Sequence, residues 1–166
     1  MELTLVGPAE WYVPDVGDNR ETARVRVELT APTVAVWRRY QAALAELQID
    51  RARREARDLM DVPLGTPEAM EAVEGRLFVP CVGRIEGLPS LADGTPLRSG
   101  ADLWAQRERL DRRTAGPLFA DLFGALYRRA TLPPEAVAHL ERRSGSVVSG
   151  APTDGSAETV ASGSLT

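Results

Sequence analysis

The sequence predicts an α+β fold, with a small N-terminal antiparallel hairpin or sheet, four or five α-helices and a disordered C-terminal tail. Three observations indicate this: apolar residues alternate with polar ones near residue 25, they recur at helical spacing after residue 35, and Ser, Gly and Thr dominate the end of the chain. We expect one domain over residues 1–143, divided into a hairpin region at 1–30 and a mainly helical region at 31–143, followed by the tail at 144–166.

Residues 24–29 read Arg-Val-Arg-Val-Glu-Leu, and this strict alternation predicts a half-buried strand with both valines and the leucine on one face. Trp11-Tyr12-Val13 is the expected partner strand, because the stretch Asp15–Glu21 between them is rich in turn-forming residues. Leu3–Val6 is a candidate third strand, ended by Gly7-Pro8.

The segment after this strand predicts a long helix. Thr30 stands where an N-cap is expected, and Pro32 is tolerated in a first turn because the amides there lack intrahelical partners. We expect the helix to run to about Met60, before Pro63 and Gly65 end it. Its apolar face repeats at helical spacing and consists of Val36, Trp37, Tyr40, Leu44 and Leu47.

A second helix is expected to begin after Thr66, an N-cap followed by Pro67, and Pro80 forces it to kink or end. Its apolar face consists of Met70, Val73 and Leu77. Residues 82–96 are punctuated by glycine and proline, so they predict extended chain and turns, with a tight turn at Asp93-Gly94.

Further helix starts follow. Ser99 and Asp102 resemble a capping box that opens a short helix, and Thr114 is the expected cap of the next one. A last helix is expected from Thr131–Glu135 to about Arg143, because two prolines are accommodated only in a first turn. The helix after Thr114 has a wide apolar face, formed by Leu118, Phe119, Leu122, Phe123, Leu126 and Tyr127.

The composition excludes several classes of function. All 20 basic residues are Arg, which excludes mechanisms that need a lysine amine, such as a Walker A loop or a Schiff base. The net charge of −4 argues against a surface that is positive all round for nucleic acid. No apolar run approaches the length of a membrane helix and the first residues do not resemble a secretory signal, so a cytoplasmic protein without membrane contact is expected. From Ser144 onward, 13 of 23 residues are Ser, Gly or Thr, which predicts disorder.

Candidate catalytic and metal sites are weak. Cys81 and His139 are the single Cys and the single His, but Cys81 lies in an apolar run typical of a buried thiol. The pair Asp58 and Asp61 lies beside arginines and is typical of a solvated surface. We therefore expect no enzyme, no metal and no cofactor.

Two groups of residues are candidates for binding. One is a candidate phosphate-binding cluster that consists of Arg51, Arg53, Arg54 and Arg57. The acidic residues between these arginines favour a solvated helix face instead, and we do not expect nucleic acid as the main partner. The apolar residues near the C-terminus exceed what a small core needs, so part of them is a candidate protein-binding surface. This surface comprises Trp104, Arg107, Leu118, Phe119, Leu122, Phe123 and Leu126. The neighbouring Arg109, Arg112 and Arg113 suit an interface because guanidinium groups stack and pair bidentately.

The order of several segments points to a known family. The opening Trp11–Gly17, the strand in Arg24–Ala31 and the charged helix after it resemble the start of small tail proteins of long-tailed bacteriophages. The later segments resemble the tail assembly chaperones of these phages, with Arg84-Ile85 at the place of a frequent tryptophan: Val82–Leu88, Asp93–Leu97, a short helix, Pro117–Leu122 and a helix start at Leu132–Glu135. The resemblance spans residues 11–143.

This resemblance implies a non-enzymatic protein of the host cytoplasm that binds the tape measure protein, keeps it soluble and helps to recruit tail tube subunits. It also implies a longer form made by ribosomal frameshifting near the end of the gene. A structural tail or head-to-tail component of the virion is an alternative, and so is a nucleic-acid-binding regulator acting through Arg51–Arg57. Association of the chain with copies of itself is left open.

Overall fold

The computed structural model describes residues 7–55 and 65–144. It confirms the α+β class: a three-stranded antiparallel sheet packs against helices, and the described part contains six α-helices, one of them a single turn. The elements follow in the order β1 (Glu10–Tyr12), α1 (Asn19–Thr22), β2 (Arg26–Leu29), α2 (Val34–Glu55), α3 (Pro67–Cys81), β3 (Val82–Glu86), α4 (Gly100–Ala105), a 3-10 turn (Arg107–Arg109), α5 (Arg112–Thr131) and α6 (Pro134–Ser144).

The sheet has the order β1-β2-β3, with Tyr12 opposite Val27 and Val27 opposite Ile85. The predicted pairing of β1 with β2 is confirmed, and Val27 and Leu29 are buried on the same face. The single-turn helix α1 lies in the stretch that was expected to supply only a turn. The predicted strand Leu3–Val6 lies outside the described residues.

The third strand of the sheet was not predicted. Residues 82–86, expected as part of a run of extended chain and turns, form β3 beside β2, and a register shift between Val27 and Leu29 breaks their alternation. Gly83 admits the close approach of the strands, because a Cβ there would lie 2.9 Å from the carboxylate of Glu28, which accepts a hydrogen bond from the Arg84 amide. Gly87 then turns the chain away with a φ of +78°.

The start of α2 differs from the prediction. The helix begins at Val34, after Thr30 and Pro32, and the Thr33 hydroxyl accepts a hydrogen bond from the Val36 amide. The expected cap Thr30 lies four residues before the helix, where its amide donates to the Cys81 carbonyl at the end of α3. The described part of α2 ends at Glu55, so the expected continuation to Met60 lies outside the described residues.

The caps of the later helices are mostly as predicted. The Thr66 hydroxyl accepts the Ala69 amide at the start of α3, which ends one residue beyond Pro80 and continues directly into β3. Ser99 caps α4 by accepting the Asp102 amide. Thr114 is not a cap: Asp111 caps α5. The Asp111 carboxylate accepts both the Arg113 amide and the Thr114 hydroxyl, so the helix begins earlier than predicted.

The core lies between the sheet and helices α2, α3, α4 and α5. Cys81 is buried there, and desolvation raises the pKa of its thiol to about 11, as expected for an inert cysteine. Across the core, the hydroxyl groups of Tyr40 and Tyr127 lie 2.7 Å apart and join α2 to α5. Burial and this hydrogen bond raise the pKa of Tyr40.

The C-terminal end of α5 is joined to α6 and β1 by polar side chains. Arg129 pairs with Glu141, and its guanidinium lies over the Tyr12 ring, 5.4 Å from the centroid. The Tyr12 hydroxyl donates to Asp121 at 2.8 Å. The Arg129 and Glu141 side chains are 5% and 2% exposed, so this ion pair belongs to the interior of the fold.

Candidate protein-binding cleft

Four aromatic side chains from α3, α4 and α5 meet on one side of the molecule. Phe78 is fully buried and lies beneath three half-buried rings. Its ring centroid is 5.2 Å from that of Trp104, 5.3 Å from that of Phe119 and 5.4 Å from that of Phe123. Trp104 meets both Phe119 and Phe123 edge to face. Such tilted and edge-on arrangements are the favourable ones for aromatic pairs.

The backbone of α3 determines where Trp104 lies. A Cβ on Gly75 would be 2.8 Å from the indole Nε1, so the absence of a side chain at this helical position lets the indole approach the helix. The Arg107 guanidinium lies over the indole, 5.0 Å from the ring centroid. Trp104 is therefore held between α3 and the 3-10 turn that follows α4.

Arg107 is itself fixed by α3. Its Nε and one terminal nitrogen donate to the same Glu71 oxygen at 3.1 and 2.5 Å, and its other terminal nitrogen donates to the Trp104 carbonyl at 3.0 Å. The Arg107 and Glu71 side chains are 26% and 36% exposed. The ion pair consequently borders the aromatic cluster while it remains open to solvent.

These residues border a cleft of about 360 Å³ between α3, the 3-10 turn and α5, which we call the aromatic cleft. Its lining consists of Glu71, Glu74, Trp104, Arg107, Glu108, Leu110, Arg112, Ala115, Gly116, Phe119 and Phe123. Burial, and to a smaller extent the neighbouring Glu71 carboxylate, raise the pKa of Glu74. The cleft thus combines apolar rings with a partly desolvated carboxylate.

The structure divides the predicted protein-binding residues into two sets. Trp104, Arg107, Phe119 and Phe123 come together at the aromatic cleft. The other three predicted residues are fully or almost fully buried and belong to the core, which corrects their assignment to a surface: Leu118, Leu122 and Leu126. Residues that are adjacent in sequence differ in burial because each residue of an α-helix is turned by about 100° from the one before it. Phe119 and Phe123 therefore lie next to the buried face of α5 rather than in the middle of it.

The predicted phosphate-binding arginines make contacts within their own helix. Arg51 pairs with Glu55 at 2.6 Å, Arg53 pairs with Asp50 at 3.8 Å, and Arg54 Nε donates to the Asp50 carbonyl at 3.2 Å. Arg57 lies outside the described residues. Phosphate binding at this cluster stays a prediction, and the described contacts are those of a solvated helix face.

The other arginines of the predicted interface lie around the cleft or beyond it. Arg112 lines the aromatic cleft at the first residue of α5. Arg109 is directed elsewhere, to Asp93 at 2.5 Å, and this contact lowers the pKa of the Asp93 carboxyl together with hydrogen bonds from Thr95. The predicted turn there is present: Gly94 has a φ of +85°, and its amide donates to the Leu91 carbonyl.

Chemistry-bearing residues show no further assembly in the part of the chain that the structure describes. Cys81 is buried at the end of α3, whereas His139 is exposed on α6. Within residues 7–55 and 65–144, no group of three or more His, Cys, Asp or Glu side chains is arranged to hold a metal ion. No described helix combines the length and the apolar character needed to cross a membrane.

Sequence reasoning missed the contribution of α3 to the cleft. Glu71, Glu74 and Phe78 supply its acidic border and its aromatic base. Their spacing of three and four residues places them on one helical face, and this signal is visible in the sequence. It was not informative by itself, because the partner helix that makes this face a cleft lies far along the chain.

Comparison with known proteins adds no relative: the chain matches no family model, no curated protein and no solved structure.

Proposed function

We propose that this chain is a non-enzymatic tail assembly chaperone of a long-tailed bacteriophage. It binds the tape measure protein in the host cytoplasm, keeps it soluble and assists the recruitment of tail tube subunits. The observation that carries the proposal is the aromatic cleft, an open site whose lining is typical of protein recognition. The resemblance of residues 11–143 to this family supplies the identity of the partner.

The lining of the cleft suits a helical partner. Aromatic and Arg side chains give most of the binding energy at protein interfaces, and Trp104, Phe119 and Arg107 supply these types here. Phe78 and the buried face of α5 hold the rings in place, so little side-chain entropy is lost on binding. An amphipathic helix binds such clefts by inserting apolar side chains from successive turns.

Co-expression with the tape measure protein encoded in the same genome tests the proposal. The chain should raise the soluble fraction of that protein and co-purify with it. Trp104→Ala and Phe119→Ala should reduce both effects by roughly tenfold or more, as expected for central interface aromatics. Ile49→Ala is the matched control, because Ile49 is 52% exposed on α2 and does not line the cleft.

Two further results would contradict or redefine the proposed function. If the tape measure protein neither gains solubility nor co-purifies, the proposal is wrong. Mass spectrometry of purified virions distinguishes a chaperone, which should be absent from the particle, from a structural tail or head-to-tail component, which should be present in many copies. Circular dichroism of each variant checks that it retains the helical fold.

A further inference from the structure

Glu74 is an acidic residue of the aromatic cleft that forms no ion pair with the residues that the structure describes. It lies on α3, three residues after Glu71, and lines the cleft with Trp104 and Phe119. Glu71 is neutralised by Arg107. Among the described residues, the charged or polar groups that interact with the Glu74 carboxylate are the Glu71 carboxylate and the Tyr40 hydroxyl, and neither is a cation.

The surroundings of Glu74 disfavour its negative charge. The carboxylate is partly withdrawn from water, and the Glu71 carboxylate is close enough to raise its pKa. When it is ionised, it is an anion with incomplete solvation beside apolar rings. A cation that enters the cleft would replace the lost solvation and gain the attraction of the ring faces.

The chain's own arginines at the cleft do not fill this role. Arg107 is held by Glu71 and by the Trp104 carbonyl. Arg112 lies at the opening residue of α5, about two turns before Phe119, and is not among the groups that shift the pKa of Glu74. Its positive charge makes the cleft asymmetric, so that a cation is favoured on the side of α3 and disfavoured at the start of α5.

We propose that the aromatic cleft selects a partner segment in which a lysine or arginine lies beside apolar side chains, with Glu74 receiving the cation. The apolar side chains contact Trp104, Phe119 and Phe123, while the cation extends toward α3. The proposal rests on the proposed function only for the name of the partner, since the chemistry of the segment follows from the cleft itself.

Defined helical peptides test this selection. The probes are an 18-residue amphipathic peptide of Leu and Lys and its counterpart with Gln in place of Lys, each bound to the full chain and followed by fluorescence anisotropy. Glu74→Gln should weaken the Leu/Lys peptide about tenfold and leave the Leu/Gln peptide unchanged. Glu46→Gln is the matched control, because Glu46 is exposed in the middle of α2 and the substitution changes net charge equally.

The outcomes separate specific recognition from general attraction. Equal weakening by Glu74→Gln and Glu46→Gln would show that the Lys peptide responds only to the net charge of the chain, and would overturn the proposal. Absence of peptide binding, or binding unaffected by Trp104→Ala, would overturn it as well. Glu74→Gln removes a poorly solvated charge, so the variant is expected to fold.

The peptide experiment and the co-purification experiment distinguish failure of this inference from failure of the proposed function. If the Leu/Lys peptide behaves as expected but the tape measure protein does not co-purify, the cleft chemistry stands and the chaperone function is wrong. If the tape measure protein co-purifies but Glu74→Gln does not change peptide binding, the proposed function stands and this inference is wrong.

Discussion

Two groups of the same chemistry lie in different surroundings, each an arginine that pairs with a glutamate and lies over an aromatic ring; Arg26 with Glu86 and Trp11 is a third such group. Arg129 pairs with Glu141 over the ring of Tyr12, and Arg107 pairs with Glu71 over the ring of Trp104. The guanidinium lies 5.4 Å from the ring centroid in the first group and 5.0 Å in the second. The arginine side chain is 5% exposed in the first group and 26% exposed in the second.

The two arginines differ in exposure because different numbers of secondary-structure elements cover them. Arg129 lies in the last turn of α5, and α6 and β1 contribute Glu141 and Tyr12 around it. Arg107 lies in the 3-10 turn beyond α4, and no described element covers the aromatic cleft on its solvent side. The same side-chain chemistry therefore stabilises the fold in one place and lines a binding surface in the other.

The largest expected effect is on the covered group. Arg129→Met should lower the free energy of unfolding by about 3–5 kcal/mol, because it removes the guanidinium that pairs with the buried Glu141 carboxylate. Urea denaturation followed by circular dichroism measures the change. The double variant Arg129→Met with Glu141→Leu should recover much of the loss. A single variant within about 1 kcal/mol of wild type would contradict the structural role of the pair.

The next effect separates the two faces of α5. Leu122→Ala should cost about 2–5 kcal/mol of stability, because Leu122 is fully buried and the substitution leaves a cavity. Phe123→Ala, one residue on, should cost less stability but reduce binding of the Leu/Lys peptide. Denaturation and anisotropy on the same pair give both quantities, and a reversed order would contradict the division of this helix into core and cleft faces.

A smaller effect is expected where one hydroxyl group is removed. Tyr12→Phe deletes the hydroxyl that donates to Asp121 at 2.8 Å and accepts from Arg128 at 3.5 Å, but it keeps the ring beneath Arg129. The expected loss is about 1–2 kcal/mol, measured by thermal and urea denaturation. Comparison with Arg129→Met shows how much of this region's stability comes from the ion pair. A loss of stability in Tyr12→Phe as large as that in Arg129→Met would contradict the larger contribution assigned to the ion pair.

The smallest stability effect is expected in the open group. Arg107→Met should change the free energy of unfolding by less than about 1 kcal/mol, because both partners of its ion pair are reached by solvent. Peptide binding should decrease, since Trp104 loses the guanidinium that holds it. Urea denaturation and anisotropy measure the two changes, and a loss equal to that of Arg129→Met would remove the distinction between the groups.

Local patterns predicted much of the fold because they depend on neighbours within about one helical turn or on strict alternation. The strand in residues 24–29, the caps at Thr66 and Ser99 and the last helix after Leu132 are of this kind, and the structure confirms them. Thr114 failed as a cap because the helix already begins at Arg112, where the Asp111 carboxylate accepts the Arg113 amide. The third strand was missed because its partner, β2, lies more than 50 residues earlier.

The sequence by itself determined the α+β class, the helical faces and the all-arginine chemistry of the cations. The tertiary structure decided which sector of each face is covered, and so placed Leu122 in the core and Phe119 at a cleft. It also decided that Arg129 is enclosed and Arg107 is open. The physical reason is that periodicity follows from the geometry of one helix, whereas burial depends on which other elements pack against it.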